Sequence, residues 1–170
     1  MARIFIIGFP GSGKTALAVE LANLLGWNAV DLDQRIEEKT GHRIHHIFEE
    51  YGESHFRKWE QQILESVLDT EGIVVSTGGG TPCFFDNMDR MKNAGICVYL
   101  KASEKELFQW LLEEPGSRPL IKGKTNAELE KWISETLIIR EPFYNKAQII
   151  VTTEDFNAEA IRLRLPKSLA

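Results

Sequence analysis

The sequence predicts a three-layer α/β fold built on a parallel sheet of about five strands. Three observations carry this prediction. Short apolar runs alternate with amphipathic helical stretches along the chain. The first run, Ile4-Phe5-Ile6-Ile7, is apolar at every position, as suits a parallel strand buried on both faces. It feeds directly into Gly8-Phe9-Pro10-Gly11-Ser12-Gly13-Lys14-Thr15, the G-x-x-x-x-G-K-[ST] spacing of a phosphate-binding loop between a strand and a helix.

The elements then follow in order. Leu17, Ala18, Leu21, Leu24 and Leu25 share one helical face, and Gly26 is placed to end that helix. Asn28-Ala29-Val30 is a second strand that delivers Asp31 and Asp33 to its C-terminal end. Asp33 can also cap a short helix from Gln34 to Thr40, which Gly41 terminates. A helical stretch with Ile44, Ile47, Phe48 and Tyr51 is broken at Gly52. The next helix carries Phe56, Trp59, Ile63 and Val67, with Arg57 and Glu60 beside them. Ile73-Val74-Val75-Ser76 is the third strand and runs into Thr77-Gly78-Gly79-Gly80-Thr81-Pro82. Three consecutive glycines are unfavourable unless something must approach the backbone closely. A helix from about Asp86 precedes the fourth strand, Ile96 to Leu100. Capping boxes at Ser103/Glu106 and Thr125/Glu128 open two further helices. The second of these runs towards Arg140 and ends before Pro142. Ile149-Ile150-Val151 is the fifth strand, and a last helix spans about Asn157 to Leu165. Between the two capping boxes, Glu113 to Lys124 holds Pro115, Gly116, Pro119 and Gly123 with Arg118, Lys122 and Lys124, and reads as a basic lid loop.

Composition narrows the function classes. The 170 residues suffice for one domain with a real core, and no linker or repeat divides them, so residues 1–170 are expected to form a single domain. Lys+Arg 20 against Asp+Glu 25, a net charge of −5, argues against a general nucleic-acid binder. Cys83 and Cys97 follow no C-x-x-C spacing and suggest no disulfide framework. A strand that starts at once and the absence of a long apolar run argue against a signal peptide or membrane span. A cytoplasmic monomer acting on a small molecule is the expectation.

Five sets of residues can do chemistry. The glycine loop and its helix N-terminus offer N–H groups to phosphate, with Lys14 reaching the β- and γ-phosphates and the Thr15 hydroxyl reaching magnesium. Asp31 and Asp33, two apart on an extended strand end, project to the same side. One suits a metal through water and the other an acceptor hydroxyl, unless Asp33 is only a helix cap. Arg57 and Glu60, three apart on a helix, form either a surface ion pair or an arginine held for a carboxylate. Gly78-Gly79-Gly80 offers backbone donors at close range, and Arg118 and Arg140 offer positive charge for a migrating phosphoryl group. His42, His45, His46 and His55 cluster in sequence, but adjacent His45 and His46 diverge around a helix and no cysteine partner is near.

In this order and within this length, these motifs resemble the shikimate kinase family from Ile4 to about Val151. They are Gly-x-Pro-Gly-Ser-Gly-Lys-Thr, Asp-x-Asp, Phe-Arg-x-x-Glu, Gly-Gly-Gly, Arg-Pro-Leu and Arg-x-Pro-x-Tyr. The resemblance implies a phosphate-loop kinase fold like that of nucleoside monophosphate kinases, with sheet order 2-3-1-4-5, a substrate-binding insert at about 33–60 and a lid at about 113–124. It implies transfer of the ATP γ-phosphoryl group to the 3-hydroxyl of shikimate, in aromatic amino-acid biosynthesis, with Mg2+. By motif, Gly11, Ser12, Gly13, Lys14, Thr15 and Ala16 hold the ATP phosphates, joined by Arg118 from the lid. Thr15 and Asp31 hold the metal. Asp33 holds shikimate hydroxyls and acts as base; Arg57, Arg140, Gly79 and Gly80 bind shikimate, and Glu60 supports Arg57. Two family features are missing. The helix before Arg118 reads Phe108-Gln109-Trp110-Leu111-Leu112, without the arginine that often packs on adenine, and Thr153 to Asn157 holds no proline. The adenine contacts therefore stay open. The rival expectations are another small-molecule kinase, acting on gluconate or a nucleotide, and a nucleotide-binding regulator without catalysis.

Overall fold

The computed structural model describes residues 2–113, 121 and 123–169. Its centre is strand β1 (Arg3–Gly8), all six residues of which are buried. Around it stand β2 (Asn28–Asp31), β3 (Ile73–Ser76), β4 (Ile96–Lys101) and β5 (Ile149–Thr152). They form one sheet in the order β2-β3-β1-β4-β5, every pair parallel. Both faces are covered, which is why β1 needs no polar side. Phe5 and Ile7 point to one cluster with Ile36, Leu64, Val75 and Tyr99. Ile4 and Ile6 point to the other, with Leu17, Leu21, Val98 and Ile161.

The helices are α1 (Lys14–Leu25), α2 (Leu32–Thr40), α3 (Ile44–Leu68), α4 (Asn87–Ala94), α5 (Glu104–Glu113), α6 (Asn126–Tyr144) and α7 (Ala158–Arg162). Both capping boxes form: the Ser103 N–H donates to Glu106 Oε2 at 2.8 Å, and the Thr125 N–H donates to Glu128 Oε2 at 2.7 Å. The break at Gly52 is a kink inside α3, with φ 81° and ψ 170°, a left-handed φ that favours glycine. It separates the stretch holding Ile47 from the stretch holding Arg57 and Glu60.

Three expectations need correction. The cap of α2 is Asp31, whose Oδ1 accepts from the Gln34 N–H at 3.1 Å; Asp33 lies inside the first turn. The two aspartates therefore do not share an extended strand end, because β2 stops where Asp31 pairs with Ser76. Helix α6 also runs through Pro142 to Tyr144, so Arg140 is a turn short of its end. A proline this late removes a single helical N–H donor. The last helix is shorter than expected, Ala158–Arg162, capped by Asn157. Most of the lid expected at 113–124, including Arg118, lies outside the described residues.

Candidate active site

The C-terminal edge of the sheet collects the candidate residues, because β1, β2 and β3 all run towards it. Gly13 is the N-cap of helix α1, with φ 79° and no side-chain cap hydrogen bond, so no side chain of the cap takes up the first N–H groups of the helix. Lys14 is buried and folds back over the loop, its Nζ donating to the Phe9 carbonyl at 2.8 Å. The Ser12 hydroxyl donates to the same oxygen at 2.8 Å. Both bonds hold the loop curled around the Phe9 carbonyl.

Thr15 follows on the first turn of α1. Its hydroxyl donates to Asp31 Oδ2 at 2.7 Å and stands 3.2 Å from the Ser76 hydroxyl. Two hydroxyls and one carboxylate form a set of hard oxygens, which fits a magnesium ion better than a softer metal. Ser76 went unnoticed in the sequence, where it looked like the polar end of a strand. The signal was its place beside the loop hydroxyl, which only the β1–β3 pairing supplies.

Asp33 sits next to this set. Its Oδ1 is shut off from solvent and has no hydrogen-bond partner among the described residues. Burial, then the charges of Glu60 and Asp31, push its pKa up to about 6, against the pull of Lys14 and Arg57. It is a carboxylate with a spare acceptor, near neutrality, beside the phosphate loop.

Arg57 forms the opposite wall. Its NH1 donates to Glu60 Oε2 at 2.9 Å, and its Nε and NH2 donate to Glu53 Oε1 at 3.2 and 3.0 Å. Its guanidinium carbon lies 4.0 Å from the Phe84 ring centroid and 5.1 Å from that of Phe56. Glu60 is fully buried and also accepts from the Thr81 hydroxyl at 2.6 Å. So the Arg57–Glu60 pair is not a solvated surface bridge but a buried clamp with its plane fixed. Neither Glu53 nor Phe84 was foreseen. Glu53 had a signal, one helical turn before Arg57; Phe84 had none in the local sequence.

The triple glycine explains how these walls meet. All three positions have ordinary backbone angles, so glycine is needed for space. A Cβ on Gly80 would lie 2.5 Å from Arg57 NH2 and 2.6 Å from NH1. On Gly79 it would lie 2.6 Å from Pro10 of the phosphate loop and 3.0 Å from Arg140 NH1. On Gly78 it would lie 3.0 Å from Glu60 Oε1 and 3.1 Å from Asp33 Oδ1. Adjacent glycines thus bring together the phosphate loop, both arginines and both buried acids. Arg57 and Arg140 thus approach two adjacent residues of the glycine loop.

A phosphate loop on the central strand of a 2-3-1-4-5 sheet, opening beside a poised carboxylate and two guanidinium groups, defines an ATP-dependent small-molecule kinase. The fold alone is shared more widely: a gluconokinase from Sinorhizobium meliloti 1021 superposes with a TM-score of 0.58 at 17% identity, covering 95% of this chain and 93% of that one. The chain itself belongs to the shikimate kinase family, whose sequence model matches residues 10–169. It is 43% identical over 160 residues to the shikimate kinase of Parabacteroides distasonis, covering 94% of this chain and 92% of that one. The crystal structure of shikimate kinase from Bacteroides thetaiotaomicron superposes with a TM-score of 0.89 at 38% identity, covering 96% of each chain. Shikimate kinase from Acinetobacter baumannii, solved in complex with shikimate, gives 0.86 at 32% identity, covering 96% of this chain and 91% of that one.

Proposed function

We propose that this chain transfers the γ-phosphoryl group of ATP to the 3-hydroxyl of shikimate, giving shikimate 3-phosphate and ADP. The observation that carries this reading is the meeting of Arg57 and Arg140 at adjacent glycines, beside Asp33 and the phosphate loop. Shikimate is a small polyol with one carboxylate. Two guanidinium groups on different elements fix that carboxylate, and close backbone donors at Gly79 and Gly80 complete the seat. A nucleotide acceptor gives the same pair of arginines no joint purpose.

In this reading the backbone from Gly11 to Ala16 and the Lys14 ammonium hold the ATP phosphates. Lys14 leaves the Phe9 carbonyl for the phosphate oxygens, and Arg118 approaches from the lid. Thr15 and Asp31, with Ser76 beside them, hold Mg2+, which when bound supplies positive charge to the phosphate oxygens. Asp33 accepts the proton of the attacking hydroxyl, and Glu60 keeps Arg57 aligned. Holding the hydroxyl against the terminal phosphate makes the reaction effectively unimolecular.

The test is a coupled assay of ADP release over shikimate, gluconate and nucleoside monophosphates, with and without a magnesium chelator. Turnover is expected with shikimate alone, lost on chelation and restored by added Mg2+. Turnover with gluconate or a nucleotide instead would replace this reading, and no turnover with any acceptor would favour a regulator. Gly80→Ala tests the geometry of the seat. The new methyl must displace the Arg57 guanidinium, and misplacement by about 1 Å can lower a rate by about 10²-fold. A large fall in kcat/KM for shikimate is expected, with ATP KM unchanged; parallel loss for both substrates would point to general unfolding of the cleft.

A further inference from the structure

The glycine loop is held from behind by one side chain with no role in the scheme above. Tyr144, at the end of α6, is fully buried and stacks on Tyr99 with ring centroids 5.0 Å apart. Its hydroxyl donates to the Gly79 carbonyl at 2.6 Å. Arg140 lies one turn earlier on the same helix, and its charge acts on the Tyr144 phenol. One phenol therefore ties the end of α6, the helix that carries the second arginine, to the glycine loop.

The peptide plane gives this bond a consequence. In a trans peptide the C=O of one residue and the N–H of the next point in opposite directions. The Gly79–Gly80 peptide is trans, and its carbonyl is drawn to a buried phenol on the core side. The Gly80 N–H must then point away from the core. It donates to no other described residue, whereas the Thr81 N–H is bonded to Gly78 and the Cys83 N–H to Gly80. Arg57 NH2 lies 2.5 Å from where a Gly80 Cβ would stand and, one residue back, Arg140 NH1 lies 3.0 Å from that of Gly79.

We propose that Tyr144 is a positioning residue for the acceptor: its hydroxyl sets the Gly79–Gly80 peptide so that the Gly80 N–H is presented to the shikimate carboxylate, and fixes the end of α6, the helix that carries Arg140, against the same loop. This inference rests on the functional reading above. It explains why α6 continues past Pro142. The helix must reach Tyr144 for the phenol to lie behind the glycines.

Tyr144→Phe removes the hydroxyl and keeps the ring. Shikimate KM is expected to rise about tenfold, the effect of one lost hydrogen bond of ordinary strength. ATP KM is expected to stay level. Tyr99→Phe changes the ring stacked on Tyr144 without touching the glycine loop, and is expected to leave shikimate KM unaltered. A Tyr144→Phe protein with a lower Tm but an unchanged shikimate KM would overturn the proposal, as would equal rises in both KM values. A second measurement needs no variant. In the 15N-labelled wild-type protein the Gly80 amide proton is expected to move downfield on saturation with shikimate; an unmoved Gly80 resonance in a protein that binds shikimate overturns the proposal. If the wild-type protein fails to phosphorylate shikimate, that failure strikes the functional reading, and the two results are separable.

Discussion

Asp33→Asn is expected to lower kcat by about 10²–10⁴-fold, the range for a positioned acid–base group, while making the ligand-free protein more stable. The two effects share one origin. Asp33 has an oxygen closed off from water with no partner among the described residues, and two acidic neighbours, Glu60 and Asp31. Those features raise the affinity of the carboxylate for a proton. They also make the ionised carboxylate unfavourable before substrate arrives. A rise in pKa of this size corresponds to at most about 3 kcal/mol, and relaxation around the site reduces it, so a gain of about 1–3 kcal/mol is expected for the amide. ADP release gives the first quantity and thermal unfolding the second. Undiminished kcat would remove Asp33 from the proton path.

The pH dependence of the wild-type protein follows with opposite signs for activity and stability. Turnover is expected to fall as pH drops through about 6, because protonated Asp33 can no longer accept a proton. Stability of the ligand-free protein moves the other way on account of this group. Its folded pKa lies above the unfolded value of about 3.9, so between these limits the folded state binds more protons. The destabilisation is full at neutral pH and is relieved as pH falls from about 6 towards the unfolded value. Asp33→Asn is expected to lose this stability gain on acidification.

Which parts of the molecule were legible in the sequence depended on the range of the interactions involved. Capping boxes such as Thr125/Glu128 are local hydrogen-bond exchanges over four residues, and both formed as expected. An all-apolar strand before a glycine loop also carries its own signal, and Ile4 to Ile7 is fully buried. The errors arose where tertiary contact settles a local choice. Asp31 and Asp33 are both suitable caps; the pairing of Asp31 with Ser76 ends the strand there and makes Asp31 the cap. Pro142 is a sound stop signal, yet the bond from Tyr144 to Gly79 and its stacking on Tyr99 accompany another turn of helix. The glycine triplet was legible as a close approach. Its neighbours were not, because Phe84 reaches Arg57 only through the turn that Thr81–Cys83 makes.

Arg57→Ala is expected to weaken shikimate binding by about 1.5–3 kcal/mol, the range for a hydrogen bond to a charged group, or about 10–150-fold, with ATP binding almost unchanged. It is also expected to destabilise the fold, and the two losses can be separated. Arg57 is 5% exposed and its NH1 neutralises Glu60, which is 0% exposed. Truncation leaves the Glu60 carboxylate with the Thr81 hydroxyl as its remaining side-chain donor among the described residues and Asp33 as a repelling neighbour. Removing one partner of a buried ion pair typically costs about 3–5 kcal/mol. Adding Glu60→Gln removes the stranded charge, so the double variant is expected to recover much of the Tm. It is not expected to recover shikimate affinity, because the guanidinium that receives the carboxylate is still missing. Arg57→Lys falls between: it keeps one positive charge, but an ammonium cannot hold Glu53, Glu60 and a substrate carboxylate in one plane. The proposal therefore requires affinity to follow the guanidinium and stability to follow charge balance. If the double variant regained both, Arg57 would be only the counter-ion of Glu60, and the two-arginine seat would lose one of its supports.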